Sequence, residues 1–351
     1  MDLKINLLIG CITLFMAQAT FAQEASTYAE KLGFPPGVKV VIFHVDDAGM
    51  SYESNEGTIR SIENGVATSC SIMMPCPWAA SFVRHALEEP MDAGIHLTLT
   101  SEWKDYRWHP VSGKEAVPGL VDAEGALWPS VREVVQHATP DEVELEIRAQ
   151  INRALDMGLN PTHLDSHMGT LFYHPPFLER YIKVGVDYGI PVMFPGGNNK
   201  LLEISMKENM IKQLKKEGKY KEGMVLPENE MLGKAPEIGQ QIWASGLPVL
   251  DDLHSVSGNW KPEGNPDDEA WGDYKVAQFK SVLKEMEPGL AMVIVHSNGD
   301  RKTFDRISSS GGSRYADMLA MTHPELQKFI AEEGILLTTW QEVMERRKKV
   351  K

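Results

Sequence analysis

The sequence VVIFHVDDAGMS occupies residues 40–51. Its first half is apolar and β-branched, which predicts a buried strand. The strand ends in two adjacent carboxylates, Asp46 and Asp47. Because neighbouring strand residues point to opposite faces, at least one of these side chains must lie where the strand turns into a loop. Carboxylates in such a place indicate a metal ion or a proton-transfer role, with an Asp-Asp helix cap as the structural alternative.

Strands and helices alternate on both sides of this stretch. The predicted strands cover residues 39–45, 66–74, 94–100, 161–167, 189–193, 247–253, 290–296 and 335–339. The predicted helices cover residues 53–64, 79–88, 140–157, 176–188, 200–220, 271–287 and 322–333. This alternation is typical of an α/β fold with parallel strands, most simply a distorted, TIM-barrel-like (β/α) barrel. An open doubly wound sheet is the alternative.

The domain organisation follows from the same pattern. No break divides the alternation into two units, so we expect a single domain over residues 23–351. Two segments interrupt it as inserted loops. Residues 101–139 are irregular and rich in Trp, Pro and Gly, and residues 200–245 combine a charged helix with an irregular stretch.

Composition and charge exclude some partners. Hydrophobic residues make up 42% of the 351 residues and charged residues 24%, as in an ordinary globular protein. The net charge of −14 argues against binding to nucleic acid. Cys70 and Cys76 follow the N-terminal region without a CxxC motif, so a cysteine zinc site is not indicated, and their pairing stays open.

The N-terminus resembles a secretory signal peptide over residues 1–22. Lys4 precedes an apolar run over residues 5–16, and small residues lead to Ala22. The run is too short for a transmembrane helix, so we expect export to the periplasm or medium without stable membrane insertion. A lipoprotein anchored at Cys11 is the alternative, because LIGC at residues 8–11 resembles a lipoprotein box.

Histidines and aspartates cluster at the ends of the predicted strands. The carboxyl ends of parallel strands meet at one rim, where chemistry collects in such folds. His163, Asp165 and His167 alternate, so an extended segment places them on one face. Imidazole and carboxylate ligands suit zinc or another divalent transition metal better than magnesium. Alone, each histidine would more often be a core residue. The residues at this rim are Asp46, Asp47, His96, His163, Asp165, His167, Asp251, Asp252, His254 and His296.

Motifs of several other enzyme classes are absent from the sequence. It contains no G-x-S-x-G nucleophile elbow, G-x-x-x-x-G-K-[ST] phosphate loop, G-x-G-x-x-G or H-E-x-x-H. Their absence weakens the case for a serine hydrolase, a nucleotide enzyme or a zincin protease.

Several segments together resemble the YdjC-like carbohydrate deacetylases, which include chitooligosaccharide deacetylases. The matching pieces, in the family's order, are VDDAGMS at 45–51, Asn55 with GTI at 57–59, NGVATSCS at 64–71, AGIHLTLT at 93–100 and PTHLDSH at 161–167. Weaker matches are GLP at 246–248 with Asp251 and Asp252, and VH at 295–296. Where many relatives continue with more histidines, this chain reads MGTLFYHP at 168–175, so the family's substrate contacts are not carried over to it.

The resemblance implies a distorted barrel and metal-dependent removal of acetyl groups from N-acetylated sugars. It implies that Asp47, His96 and His167 bind one divalent ion, zinc or alternatively magnesium or another metal. It implies Asp46 as the general base and His296 as the general acid. Further residues are expected to contact the substrate or to support the ligands, and these are His163, Asp165, Asp252 and His254.

The expected partner is an acetylated oligosaccharide or polysaccharide, and the oligomeric state stays open. Aromatic residues of the 101–139 loop could stack on sugar faces or pack the loop itself. Two other functions compete. One is a metal-dependent hydrolase of another acyl bond, such as an O-acetyl ester or a different amide. The other is a carbohydrate-binding barrel without catalysis.

The signal peptide gives a direct test. The mature protein from its native host should begin near Gln23, because the small residues before it form the cleavage site. Mass measurement of the purified protein checks this. An acylated Cys11 at the N-terminus would instead support the lipoprotein alternative.

Overall fold

The computed structural model describes residues 26–226 and 230–350. The predicted signal peptide at 1–22 and Cys11 lie outside these ranges. Seven parallel strands form one sheet in the order β4-β3-β2-β1-β6-β5, with β7 paired to β1. The strands are β1 Lys39–Ala48, β2 Ser69–Ile72, β3 Ala93–Leu97, β4 Leu164–Ser166, β5 Asp252–His254, β6 Gly289–His296 and β7 Leu336–Leu337.

Two short bridges close this sheet into a distorted barrel. Leu164 of β4 pairs with Val192, and Pro195 pairs with Leu250 just before β5. The backbone hydrogen bonds from Met193 to Leu164 and from Leu250 to Phe194 measure 2.8 and 3.0 Å. The predicted barrel is therefore confirmed and the open doubly wound sheet is wrong. The strand predicted at 189–193 exists only as these bridges, because prolines there cannot donate to a ladder.

Helices surround the barrel and follow the strands along the chain. Three short 3-10 turns lie at Pro118–Leu120, His167–Phe172 and Ser257–Asn259. No helix in the described parts of the chain is long and apolar enough to cross a membrane. The α-helices are α1 Tyr28–Lys31, α2 Tyr52–Glu63, α3 Ala79–Glu88, α4 Val131–His137, α5 Pro140–Asp156, α6 Pro175–Tyr188, α7 Lys200–Lys216, α8 Glu230–Ala244, α9 Asp268–Glu285, α10 Arg301–Phe304, α11 Gly311–Met321, α12 Pro324–Glu332 and α13 Trp340–Lys349.

Helix α8 occupies a stretch predicted to be irregular, and α11 was not predicted. Both contain poor helix formers, since α8 carries an interior Pro236 and α11 begins with two glycines. Tertiary packing outweighs these local preferences. A Cβ on Gly239 of α8 would lie 2.8 Å from the Cα of Gly196, so the glycine allows α8 to approach the barrel wall closely.

Strand β1 is the centre of the core. It is buried along almost its whole length and pairs with β6 over eight successive residues, from Lys39 opposite Gly289 to Asp46 opposite His296. Cys70 and Cys76 pack in the same core as free thiols, so the disulfide that the sequence left open does not form.

Asp251 and Asp252 anchor two helices to the barrel. The carboxylate of Asp251 accepts hydrogen bonds from the backbone amides of Tyr28, Ala29 and Leu290 at 2.8, 3.0 and 2.8 Å. Asp252 accepts hydrogen bonds from two amides in the first turn of α7. Each carboxylate therefore satisfies free amides at a helix N-terminus, which a helix cannot pair internally.

We expect Asp251→Ala to lower the free energy of unfolding by about 2–4 kcal/mol, because three buried amides lose their acceptor. Urea denaturation followed by circular dichroism measures the change. Asp156→Ala is the control, since Asp156 is exposed at the end of α5, and it should change stability by less than about 0.5 kcal/mol. Equal stability of the two variants would show that the anchor is dispensable.

Candidate metal centre

The end of β1 departs from regular strand geometry at Asp47. Its φ of 67° is left-handed, and the register with β2 shifts between Val45 and Ala48. A non-glycine residue adopts this conformation only at a cost. The turn is supported by a hydrogen bond of 2.7 Å from the Gly49 amide to Asn55 Oδ1. This turn interrupts the alternation of side chains between the two faces of the strand. Asp46 and Asp47 therefore both line the same cavity.

Three buried side chains converge at the rim from the ends of β1, β3 and β4. The Oδ1 atom of Asp47 lies 3.3 Å from His96 Nε2 and 3.3 Å from His167 Nδ1, and the two nitrogens are 3.2 Å apart. Within the described residues no donor meets hydrogen-bond geometry at Asp47 Oδ1. These three atoms are hereafter the ligand triangle.

The ligand triangle has the dimensions of a tetrahedral metal site. Ligand bonds of about 2.0–2.1 Å give ligand-to-ligand edges of about 3.3–3.4 Å, which matches the three distances. Two imidazoles and a carboxylate are a donor set that zinc and other divalent transition metals bind. The residues therefore fit a divalent ion, with one face of the triangle open to the cavity.

Carboxylates hold both imidazoles in the orientation that the triangle needs. Asp165 Oδ1 lies 2.7 Å from His96 Nδ1, and the carboxylate of Glu102 lies 3.1 Å from His167 Nε2. A histidine that binds a metal through one ring nitrogen commonly donates from the other to such a partner. Glu102 was not among the predicted site residues, although a carboxylate two residues past the strand predicted at 94–100 lies at the same rim.

Arg314 of α11 pairs with the far oxygen of Asp47. Its Nη1 atom lies 2.6 Å from Asp47 Oδ2. Burial alone would raise the pKa of Asp47, but the Arg314 guanidinium and the two imidazoles hold it well below its usual range. Asp47 is therefore ionised at neutral pH and can act as a ligand. Arg314 was not among the predicted site residues either, because α11 was not predicted.

Asp46 and His296 stand beside the triangle without belonging to it. Asp46 Oδ2 lies 3.8 Å from His96 Nε2 and 3.8 Å from His296 Nε2, as expected for residues opposite each other on β1 and β6. His296 is 28% exposed and faces the cavity. Burial and the Arg314 charge lower the pKa of His296.

A further histidine, His44, lies beneath the centre and was also missed. Its Nε2 atom is 3.1 Å from Asp46 Oδ1 and 2.9 Å from Asp165 Oδ2. Burial would lower the pKa of His44, but the two carboxylates raise it to about 9, so the ring is an imidazolium at neutral pH. Its position two residues before Asp46, on the same face of the strand, was the available signal.

Three residues expected at the site lie outside the cavity, although His163 Nε2 is 3.8 Å from Asp165 Oδ2. His163 is buried below the centre, stacked on the Trp340 ring at 5.1 Å between centroids. Asp252 is occupied by the amides of α7 described above. His254 is buried against Trp260, and burial lowers its pKa to about 4. None of these three lines the cavity. Of the four residues expected to contact substrate or support ligands, only Asp165 reaches the centre.

The aromatic side chains of the 101–139 loop pack against the protein. Trp108 is buried and donates to the Thr100 carbonyl, while Trp103 packs edge-on against it. Tyr106 donates to the Met50 carbonyl, and Trp128 stacks on His137. None of them lines the cavity, so the packing alternative describes these rings better than the sugar-stacking one.

Sequence comparisons find relatives that are named carbohydrate deacetylases. A carbohydrate deacetylase from Thermus thermophilus is 29% identical over 316 residues, covering 90% of this chain and 97% of that protein. A carbohydrate deacetylase from Thermoanaerobacter pseudethanolicus is 28% identical over 224 residues, covering 63% of this chain and 86% of that protein.

The fold is shared with a solved structure. A candidate cellobiose-phosphate cleavage protein from Enterococcus faecalis superimposes with a TM-score of 0.65 at 19% identity, covering 87% of this chain and 99% of that one. Residues 40–332 match the family model described as YdjC-like protein. This match covers β1 to β6 from residue 40 onward and every residue of the ligand triangle, and the chain belongs to the YdjC-like family.

Proposed function

We propose that this protein is a metal-dependent hydrolase that removes acetyl groups from N-acetylated carbohydrates. The observation that carries the proposal is the ligand triangle with the Asp46 carboxylate beside it. The relatives named carbohydrate deacetylases support the reaction class. The proposal includes one catalytic domain over residues 23–351. It also includes export to the periplasm or medium, and the export rests on the sequence of residues 1–22.

Amide hydrolysis needs an activated water, a polarised carbonyl and a proton for the leaving amine. Asp47, His96 and His167 would hold a divalent ion, with zinc favoured by the two imidazoles, and the ion would supply Lewis acidity. Asp46 is the base that accepts the proton of the attacking water, and His44 holds its carboxylate in place. His296, whose Nε2 atom lies 3.8 Å from Asp46 Oδ2 and 4.0 Å from Asp47 Oδ2, acts as the general acid by passing the proton that Asp46 took from the water to the leaving nitrogen.

Acetate release from a panel of acetylated glycans tests the function. N-acetylated oligosaccharides should release acetate, a chelator should abolish the release, and added Zn²⁺ should restore it. Release from O-acetyl esters alone would favour hydrolysis of another acyl bond. Binding of the glycans without any release would favour a non-catalytic carbohydrate-binding barrel.

The two adjacent carboxylates should have separable roles. We expect Asp46→Asn to retain metal but to lose about 10²–10⁴-fold in turnover, because an amide cannot accept the water's proton. Asp47→Asn should bind metal more weakly, and excess metal should restore part of its activity. Elemental analysis and acetate release at saturating metal measure both. The reverse pattern would exchange the two roles, and full activity in both variants would rule out the mechanism.

Glu102 provides a test of how the ligands are oriented. Glu102→Gln should weaken metal affinity by about 10–100-fold, because His167 loses the carboxylate that fixes its ring. Competition with a metal chelator measures the affinity. Glu115→Gln, an exposed change in the same loop, is the control and should bind metal like the unaltered protein. Equal affinities for the two variants would contradict the role given to Glu102.

A further inference from the structure

The cavity beside the ligand triangle has two walls of opposite chemistry. Its volume is about 540 Å³. One wall is the polar centre itself. The other is built by the turn after β4, the segment that closes the barrel, helices α7 and α8, and the ends of β5 and β6. This second surface is hereafter the apolar wall, and its main side chains are Phe172, Met193, Phe194, Leu202, Met206 and Ile294.

The apolar wall is a poor surface for sugar hydroxyls. A hydroxyl that leaves water needs a hydrogen-bond partner, and burying it unpaired is unfavourable. Among the described lining residues outside the polar centre, polar side-chain atoms belong only to Ser166, Tyr173 and Ser255. The Ser166 hydroxyl already accepts the Leu171 amide at 3.1 Å, and Tyr173 is 71% exposed. A sugar ring against this wall would leave most of its hydroxyls unpaired.

The cavity is also larger than an acetyl group requires. A cavity of about 150 Å³ holds a benzene molecule, so 540 Å³ has room for a group several times that size. Apolar side chains that line a cavity gain most from an apolar ligand, because the surfaces of the side chains and of the ligand leave water together. The apolar wall therefore favours a hydrocarbon group larger than the methyl of an acetyl group.

We propose that the substrate is an amphiphilic amino-sugar amide, whose apolar part occupies the apolar wall while its amide lies at the ligand triangle. The apolar part is either a long acyl chain on the nitrogen or a hydrocarbon aglycone on the sugar, and the experiment distinguishes these sources. This inference rests on the proposed amide-hydrolase function and concerns the substrate class of the same site.

The structure holds the apolar wall in place through buried contacts. Asp252 accepts the amides of Leu201 and Leu202 at 2.7 and 3.2 Å, which fixes the start of α7 on the barrel. Leu202 and Met206 are four residues apart and share the face of α7 that lines the cavity, while Lys207 is exposed. The close approach of α8 to Gly196 fixes the second helix of the wall.

Two substrate series test the proposal. The first extends the N-acyl group of glucosamine from acetyl through butanoyl and hexanoyl to octanoyl, and release of the free amine is measured. The second keeps the N-acetyl group and extends the glycoside from methyl to octyl. In at least one of the two series, kcat/KM should rise about fourfold for each added methylene until the cavity is full. A fourfold rise corresponds to about 0.8 kcal/mol. A rise in the first assigns an acyl chain, and a rise in the second assigns an aglycone. Flat or falling values in both overturn the proposal.

A binding measurement separates this inference from the proposed reaction. Calorimetry with the zinc-loaded Asp46→Asn variant compares N-octanoylglucosamine, octyl N-acetylglucosaminide and N-acetylglucosamine. N-octanoylglucosamine, octyl N-acetylglucosaminide or both should bind at least tenfold more tightly than N-acetylglucosamine. That result would stand even if the unaltered enzyme cleaved none of the compounds, in which case only the proposed function fails. Equal affinities for all three would overturn the inference while leaving the deacetylase function intact.

Substitutions on α7 locate the effect on the apolar wall. Met206→Glu should remove the preference for the eight-carbon compounds over N-acetylglucosamine, because a carboxylate would face their hydrocarbon chains. Met210→Glu is the matched control, since Met210 is half-buried on the same helix but does not line the cavity, and it should keep the preference and the activity on the acetyl compound. Met206→Gln serves if the charged variant does not fold. Retention of the preference in a folded Met206 variant would overturn the proposal.

Discussion

The left-handed backbone at Asp47 is the constraint on which the centre depends. A regular strand would turn the Asp47 carboxylate away from the cavity that Asp46 lines. The left-handed conformation at Asp47 costs about 1–3 kcal/mol. It persists because contacts with neighbouring residues stabilise it. The ion pair with Arg314 and the hydrogen bond from Gly49 to Asn55 both hold the turn in place. One distorted residue thus lets a single strand deliver two carboxylates with different neighbours.

The chain contains two Asp-Asp pairs, and they serve different purposes. Asp46 and Asp47 face imidazoles and a guanidinium, whereas Asp251 and Asp252 accept backbone amides from α1 and α7. The sequence placed both pairs at the ends of predicted strands, whereas in the structure Asp46 and Asp47 lie near the end of β1 and Asp252 begins β5. The two pairs differ in the groups that contact them, and these groups belong to segments far away in the chain. A carboxylate saturated by amides stabilises a helix, and one that leaves an oxygen without a donor can serve as a ligand.

Sequence patterns predicted the parts of the structure that depend on local chemistry. The buried strands, the barrel and the rim follow from alternation and from the order of the elements, and the family resemblance singled out the three residues whose atoms the structure brings together. Glu102, Arg314 and His44 were missed because their roles depend on long-range contacts. Helices α8 and α11 were missed because glycine and proline disfavour them locally while packing stabilises them. The apolar wall depends on α8, which is one of these helices, so it could not be predicted from a segment that reads as an irregular stretch.

The pairing of His44 with two carboxylates has a consequence for the charge balance of the centre. Four carboxylates surround or form the triangle, namely those of Asp46, Asp47, Glu102 and Asp165. Among the described residues, and with His96 and His167 neutral as metal ligands are, the positive charges that oppose them are the imidazolium of His44 and the guanidinium of Arg314. Two negative charges therefore remain uncompensated in a buried place where the dielectric screening of water is weak. A single dication would make the centre neutral, whereas a monovalent ion would leave it anionic and a trivalent ion would make it cationic.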